Sequence, residues 1–173
     1  MWRSTASAVI SLMLLALQPV LANVQELTWF DLVPPEARDM IGTPEPMHEM
    51  GDLADMMESE LGDPAVQMEP LAPVVNDLHG KHIKLPGYIV PLGITAEGKV
   101  DEFLLVPYFG ACIHVPPPPS NQIVHVQSQQ AIALADLYQP FWISGEMQVD
   151  LVESELANAG YRISGADIEP YVY

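Results

Sequence analysis

The chain has 173 residues, with 6 Lys and Arg against 23 Asp and Glu, and a formal net charge of −17. So few cations cannot build a basic patch, which excludes nucleic-acid binding through phosphates and disfavours anionic lipid surfaces. The acidity fits a soluble exported protein, a cationic partner or a metal ion.

Residues 1–22 read as a secretory signal peptide. Arg3 supplies the positive start, Ala8 to Leu17 is mostly apolar, and Val20-Leu21-Ala22 resembles a small-residue cleavage site. Cleavage is expected between Ala22 and Asn23. The apolar stretch is short for a membrane span, and no stable membrane insertion is expected after cleavage. No cysteine stands at the cleavage site, so a lipid anchor is not expected. The mature chain, about 150 residues, is long enough for one domain with its own core.

Residues 23–76 form an acidic arm rich in Pro and Met. Trp29-Phe30-Asp31-Leu32-Val33-Pro34-Pro35 opens it, and Trp29 and Phe30 are expected to staple the arm to the domain that follows. Much of the arm is expected to wrap that domain or to move. Met47-His48-Glu49-Met50, with Met40, Met56, Met57 and Met68 around it, offers soft donors. Thioethers and imidazole suit Cu(I), so Met47, His48 and Met50 are a secondary metal candidate. The plainer use of such methionines is to fill an irregular apolar surface.

Residues 77–173 read as strands. Lys81 to Leu92 alternates, with Gly87 as a bulge or bend. Ala96-Glu97-Gly98-Lys99 is a turn signal. Glu102 to Tyr108, Asn121 to Gln127, Gln139 to Val149 and Gly160 to Pro170 supply four more strands. Leu151 to Ala159 reads as a short helix with Gly160 as its C-cap. The expected fold is mainly β: a small OB-like five-stranded barrel, with an irregular acidic arm and one short helix. A small β-sandwich is the rival architecture.

The chemistry concentrates at Tyr108-Phe-Gly-Ala-Cys-Ile-His-Val-Pro-Pro-Pro-Pro-Ser-Asn-Gln122, which holds the only cysteine. One cysteine in an exported chain cannot close an internal disulfide, so it is buried and inert, ligates a metal or pairs with another molecule. Cys112 and His114 lie two apart and point one way on extended backbone. With His125 from the next strand they make a candidate site for zinc, or alternatively Cu(I). His79 and His82 are further candidate donors. Pro116, Pro117, Pro118 and Pro119 form a rigid edge that leaves the sheet stiffly. Together with Tyr108, Asn121 and Gln122 that edge is a candidate partner surface, although structural use of the two amides is the better reading. A thiol enzyme would need an orienting group and an oxyanion element, and neither is readable, so no catalytic residue is assigned.

Three stretches carry a resemblance: Leu85-Pro-Gly-Tyr-Ile-Val-Pro-Leu92, Glu102 to Gln122, and Trp142-Ile-Ser-Gly145. On these the core from Gly80 to Tyr171 resembles an uncharacterised family of exported Gram-negative bacterial proteins, known only as a domain of unknown function. The resemblance implies a periplasmic location and brings no catalytic activity. It also implies a genetic setting beside ABC-transporter components of the macrolide- and lipoprotein-exporter type, in clusters some of which look zinc-responsive. The expectation is therefore a non-enzymatic periplasmic accessory, linked to zinc homeostasis and an ABC transport system. Its expected partner is a periplasmic protein or a transporter component. The alternatives are a purely protein-binding adaptor and a thiol-dependent enzyme.

Overall fold

Inward-facing residues at period two fill the barrel interior, and Phe103 to Val106 are buried on both faces. The computed structural model describes residues 24–40, 66–67, 69–112 and 116–172. The strands are β1 (Gln25–Glu26), β2 (His82–Pro91), β3 (Lys99–Val106), β4 (Val124–Ala133), β5 (Phe141–Val152) and β6 (Ala159–Pro170). Ile83, Leu85 and Ile89 of β2 turn inward, as do Phe103 and Leu105 of β3 and Val124 and Val126 of β4. Residues between them face the other way, as strand geometry requires.

The pairing closes a five-stranded barrel. Strand β2 runs antiparallel to β3, β3 to β4, β6 to β5, and β5 back to β2, while β4 and β6 run parallel. This is the OB-like arrangement expected from the strand pattern. Strand β1 adds a short parallel partner to β2, with Gln25 opposite Ile83. Only 3-10 turns interrupt the strands among the described residues. No helix there is long and apolar enough to cross a membrane.

Strand β2 serves two sheet halves. Its pairing with β5 ends at Gly87 opposite Phe141, and its pairing with β3 begins at Tyr88 opposite Val106. Gly87 is therefore the bend. A Cβ there would stand 2.8 Å from the Val106 carbonyl oxygen, 2.9 Å from Leu105 Cγ and 2.9 Å from Trp29 Cζ2. The expected turn also forms: Gly98 has φ +72°, and Thr95 and Lys99 close across it with a 2.8 Å hydrogen bond.

The described parts of the arm pack into the barrel. Leu27 and Leu32 join the core, and Leu27 N–H donates to the Lys84 carbonyl at 2.9 Å. Tyr161 is fully buried; its hydroxyl donates to the Leu32 carbonyl at 2.6 Å and accepts from Val75 N–H at 2.7 Å. One phenol thus ties both ends of the arm to β6. Trp29 packs on the core and its Nε1–H donates to the Pro86 carbonyl at 2.8 Å. Phe30 does not share this role, because its side chain is exposed.

The expected helix over 151–159 is absent. Strand β5 continues to Val152, which pairs with Ala159 of β6. The connection between them turns at Ser154, whose hydroxyl donates to the Ala157 carbonyl and accepts from Ala157 N–H. Ala157 and Ala159 are small because they are packed beneath other chain, not because they favour a helix. Gly160 is not a helix cap; it lies in β6, where a Cβ would meet Val74 Cγ1 at 2.8 Å and the Ser120 carbonyl oxygen at 3.0 Å.

Two substitutions test this framework by urea unfolding. Gly87→Ala forces atoms apart at the bend and is expected to cost about 1–3 kcal/mol. Tyr161→Phe leaves a buried N–H and C=O without their partner and is expected to cost about 1–3 kcal/mol. Unchanged midpoints would mean that neither the bend nor the phenol holds the arm and barrel together.

Candidate functional site

The outer face of β3 and β4 is the surface on which OB barrels receive ligands. Here the chain covers part of it. Val90, Leu104, Val106 and Ile123 form a second apolar cluster outside the barrel, with Ala111 from the β3–β4 connection and Ala157 and Ala159 from the β5–β6 end. Tyr108 and Cys112 pack against the same cluster.

His125 lies on this face. It pairs with Leu104 across the β3–β4 ladder, so the two side chains point the same way. Its side chain is buried, with 6% of the residue exposed. His125 Nε2 lies 3.1 Å from Glu102 Oε1, and Gln127 Nε2–H donates to the same oxygen at 3.2 Å. His125 Nδ1 is the one buried side-chain nitrogen or oxygen among the described residues with no hydrogen-bond partner. A carboxylate accepts and does not donate, so in a neutral ring the Glu102 contact places the proton on Nε2. That leaves a lone pair on Nδ1, buried and unpartnered. Buried polar atoms in this condition are rare and point to a missing partner.

Cys112 is half-buried. Its φ of +67° makes it the one non-glycine residue with a left-handed backbone among the described residues. Such strain persists where surrounding structure holds it, often at ligand sites. Burial pushes the thiol up to about 11 from an ordinary 9.0. Tyr108 is also raised, first by burial and then by a charge on Cys112, which places the two groups together. A nucleophilic cysteine needs the opposite shift.

The other expected donors either lie outside the described residues or sit apart from this face. His114, Met47, His48 and Met50 lie outside the described residues. His79 is exposed and its Nδ1 accepts from Val149 N–H at 3.2 Å. His82 sits opposite Glu146 at the β2–β5 pairing. Among the described residues no three of His, Cys, Asp and Glu group as a metal site.

The expected partner surface is largely internal. Asn121 and Gln122 are buried; Asn121 Nδ2–H donates to the Pro73 carbonyl at 2.7 Å and Gln122 Nε2–H to the Trp29 carbonyl at 2.9 Å. Both amides bind this chain's own backbone, which removes them from any exposed docking surface. Pro117 and Pro118 are buried as well, and Pro116 alone of the four is exposed. The Pro118 carbonyl accepts from Gln67, whose amide also bridges to Asn158. The proline run is therefore clamped between arm and barrel.

Glu102 and Gln127 were not singled out in the sequence. Strand alternation alone gives each a face, but only the register shows that Glu102 meets His125 and Gln127.

A family model described as protein of unknown function (DUF3299) matches residues 29–170. The match reaches past the strand core into the arm. A solved crystal structure of a DUF3299 family protein, PA4066 from Pseudomonas aeruginosa PAO1, is similar at 48% identity with a TM-score of 0.73. The similarity covers 87% of this chain and 97% of that one. No curated protein matches.

The raised thiol gives a pH test. The folded state holds the Cys112 proton more tightly than the unfolded chain, so its contribution to stability is complete below pH 9.0 and is lost as pH rises through about 11. Tyr161, pushed up to about 12 by burial, acts in the same direction at higher pH. Thermal unfolding should weaken across this window in the wild type and weaken less in Cys112→Ala. Parallel curves would mean that the thiol is not desolvated.

Proposed function

The chain belongs to the DUF3299 family, and we propose that it is a non-enzymatic binding protein for a zinc ion, with Cu(I) as the alternative soft cation. The observation that carries this reading is His125, buried with its Nδ1 lone pair unpartnered and its Nε2 directed to a carboxylate. Histidines that ligate metals commonly donate their other ring N–H to a carboxylate in this way. Cys112 is proposed as a second donor: it packs against an apolar cluster that includes Leu104, the ladder partner of His125, and among the described residues nothing beyond that neighbourhood links the two. His114, the third donor expected from the sequence, lies outside the described residues. Zinc accepts this mixture of sulfur and nitrogen.

The high thiol argues against a nucleophilic cysteine. A bound cation would displace the Cys112 proton and hold the thiolate, which a bare apolar patch does not favour. The proposed setting is the periplasm after loss of residues 1–22, as an accessory of a zinc-linked ABC transport system. The acidic surface suits a compartment where the protein meets cations and cationic partners.

A second reading, a protein-binding adaptor, draws on one feature. A shallow groove of about 180 Å³ is lined by Trp29, Pro86, Tyr88, Pro107, Pro140 and Tyr171. Phe109, exposed, meets Tyr88 edge-on at 5.8 Å beside it. Aromatic and proline walls suit an extended peptide.

Calorimetry of the mature, reduced protein with zinc separates the readings. Micromolar or tighter one-to-one binding is expected, weakened about tenfold or more in both His125→Ala and Cys112→Ser. No heat in the wild type, with zinc or with Cu(I) under reducing conditions, would sink the metal reading. Attention would then pass to capture of a periplasmic partner and its loss in Phe109→Ala.

A further inference from the structure

The bend at Gly87 opens a groove at the surface of the barrel. Trp29 from the arm, Pro86 and Tyr88 of β2, Pro107 after β3, Pro140 before β5 and Tyr171 after β6 line it, and none of them carries a charge. Its walls are fixed from behind. Trp29 Nε1–H donates to the Pro86 carbonyl at 2.8 Å, and Tyr171 N–H to the Pro140 carbonyl at 3.1 Å. Tyr88 meets Phe109 edge-on at 5.8 Å, and Tyr171 packs on Trp142 with ring centroids 5.1 Å apart. Walls already in place lower the ordering cost of binding. Phe109 is exposed and carries the apolar surface past the groove. Proline and aromatic rings offer faces rather than hydrogen bonds, so an occupant is held by stacking. A polyproline II segment suits such walls: its rings form apolar ridges, and its stiff backbone has little freedom to lose.

Charge supplies the rest of the occupant's chemistry. The chain carries −17, which repels an acidic peptide and an anionic bilayer and attracts a basic segment. Asp31 stands two residues after Trp29, and Glu169, an exposed side chain, two residues before Tyr171. Lys84, the cation at the Tyr171 end, is already held by Glu169 at 2.6 Å. Its Nζ lies 5.3 Å from the ring centroid of Trp142, the ring on which Tyr171 packs. A cation therefore already settles on this aromatic cluster. We infer that the groove docks a proline-rich, basic peptide segment of a partner protein, with its prolines among Trp29, Tyr88 and Tyr171 and its Lys or Arg side chains met by Asp31 and Glu169. Such docking gives the adaptor reading its partner chemistry, rests on that reading, and is independent of any metal.

Titration of synthetic peptides into the ¹⁵N-labelled mature protein tests this. The probe is a run of prolines flanked on both sides by arginines. Saturable shifts are expected at the Trp29 indole N–H and at the backbone amides of Tyr88, Phe109 and Tyr171. Two control peptides separate stacking from charge: one carries glutamates in place of the arginines, the other alternating Gly and Ser in place of the prolines. Each is expected to bind at least about tenfold more weakly, and the probe itself to weaken as salt rises. Phe109→Ala, an exposed position that leaves the barrel intact, should weaken the probe by about fivefold or more. Tyr88→Ala should do the same, with its fold checked by circular dichroism and thermal unfolding. Shifts that map away from the groove, or equal binding of the probe and both controls, overturn the inference. If the probe does not bind but Phe109→Ala still loses a captured periplasmic partner, the proline-and-cation chemistry is wrong and the adaptor reading survives. If Phe109→Ala loses neither the probe nor a partner, both fall.

Discussion

One strand has to belong to two sheets for this barrel to close, and Gly87 is where it changes sheets. On one side of that residue β2 pairs with β5, and on the other with β3. The Val106 carbonyl, Leu105 and Trp29 crowd the point so closely that no side chain fits without displacing them. Closure then follows through β3, β4, β6 and β5, and the inward residues fill the interior. The same closure leaves the outer face of β3 and β4 with apolar residues of its own, Leu104, Val106 and Ile123. These have to be covered, and the β3–β4 connection covers them.

That cover explains most of the polar chemistry of the molecule. A connection folded back over a sheet brings backbone groups out of water, and each then needs a partner. Ser120 N–H donates to the Glu69 carbonyl, Ala72 N–H to the Ser120 hydroxyl, and Asn121 and Gln122 reach the Pro73 and Trp29 carbonyls. The Tyr161 phenol completes the tie on the barrel side. Arm, proline run and barrel are thus one hydrogen-bonded assembly. Within it His125 Nδ1 stands out, because every other buried side-chain polar atom among the described residues has found a partner. The contrast gives the metal-binding proposal its physical basis.

Strands β2 and β5 were legible because burial alternates along them, whereas β3, buried on both faces over Phe103 to Val106, reads as an apolar run. The bend was legible because a glycine inside a strand pattern has few other uses. The stretch 151–159 misled for a tertiary reason. Alanine and leucine favour helices in isolation, but Ala157 and Ala159 are small to fit beneath the covering chain, and Val152 pairs across to Ala159. Structural use of Asn121 and Gln122 was legible, but their partners, 48 and 93 residues away in sequence, were not. The candidate site was half legible. Cys112 and His125 could be named from residue type, whereas Glu102 could not, since its meaning comes from register.

The central claim is that His125 Nδ1 is held open for a cation, and a zinc-edge anomalous difference map from crystals of the mature protein grown with zinc tests it most directly. The account predicts a peak at roughly 2.0–2.1 Å from His125 Nδ1, with Nε2 still on Glu102. A peak bound through Nε2, or a saturated crystal with no metal at His125, would contradict it.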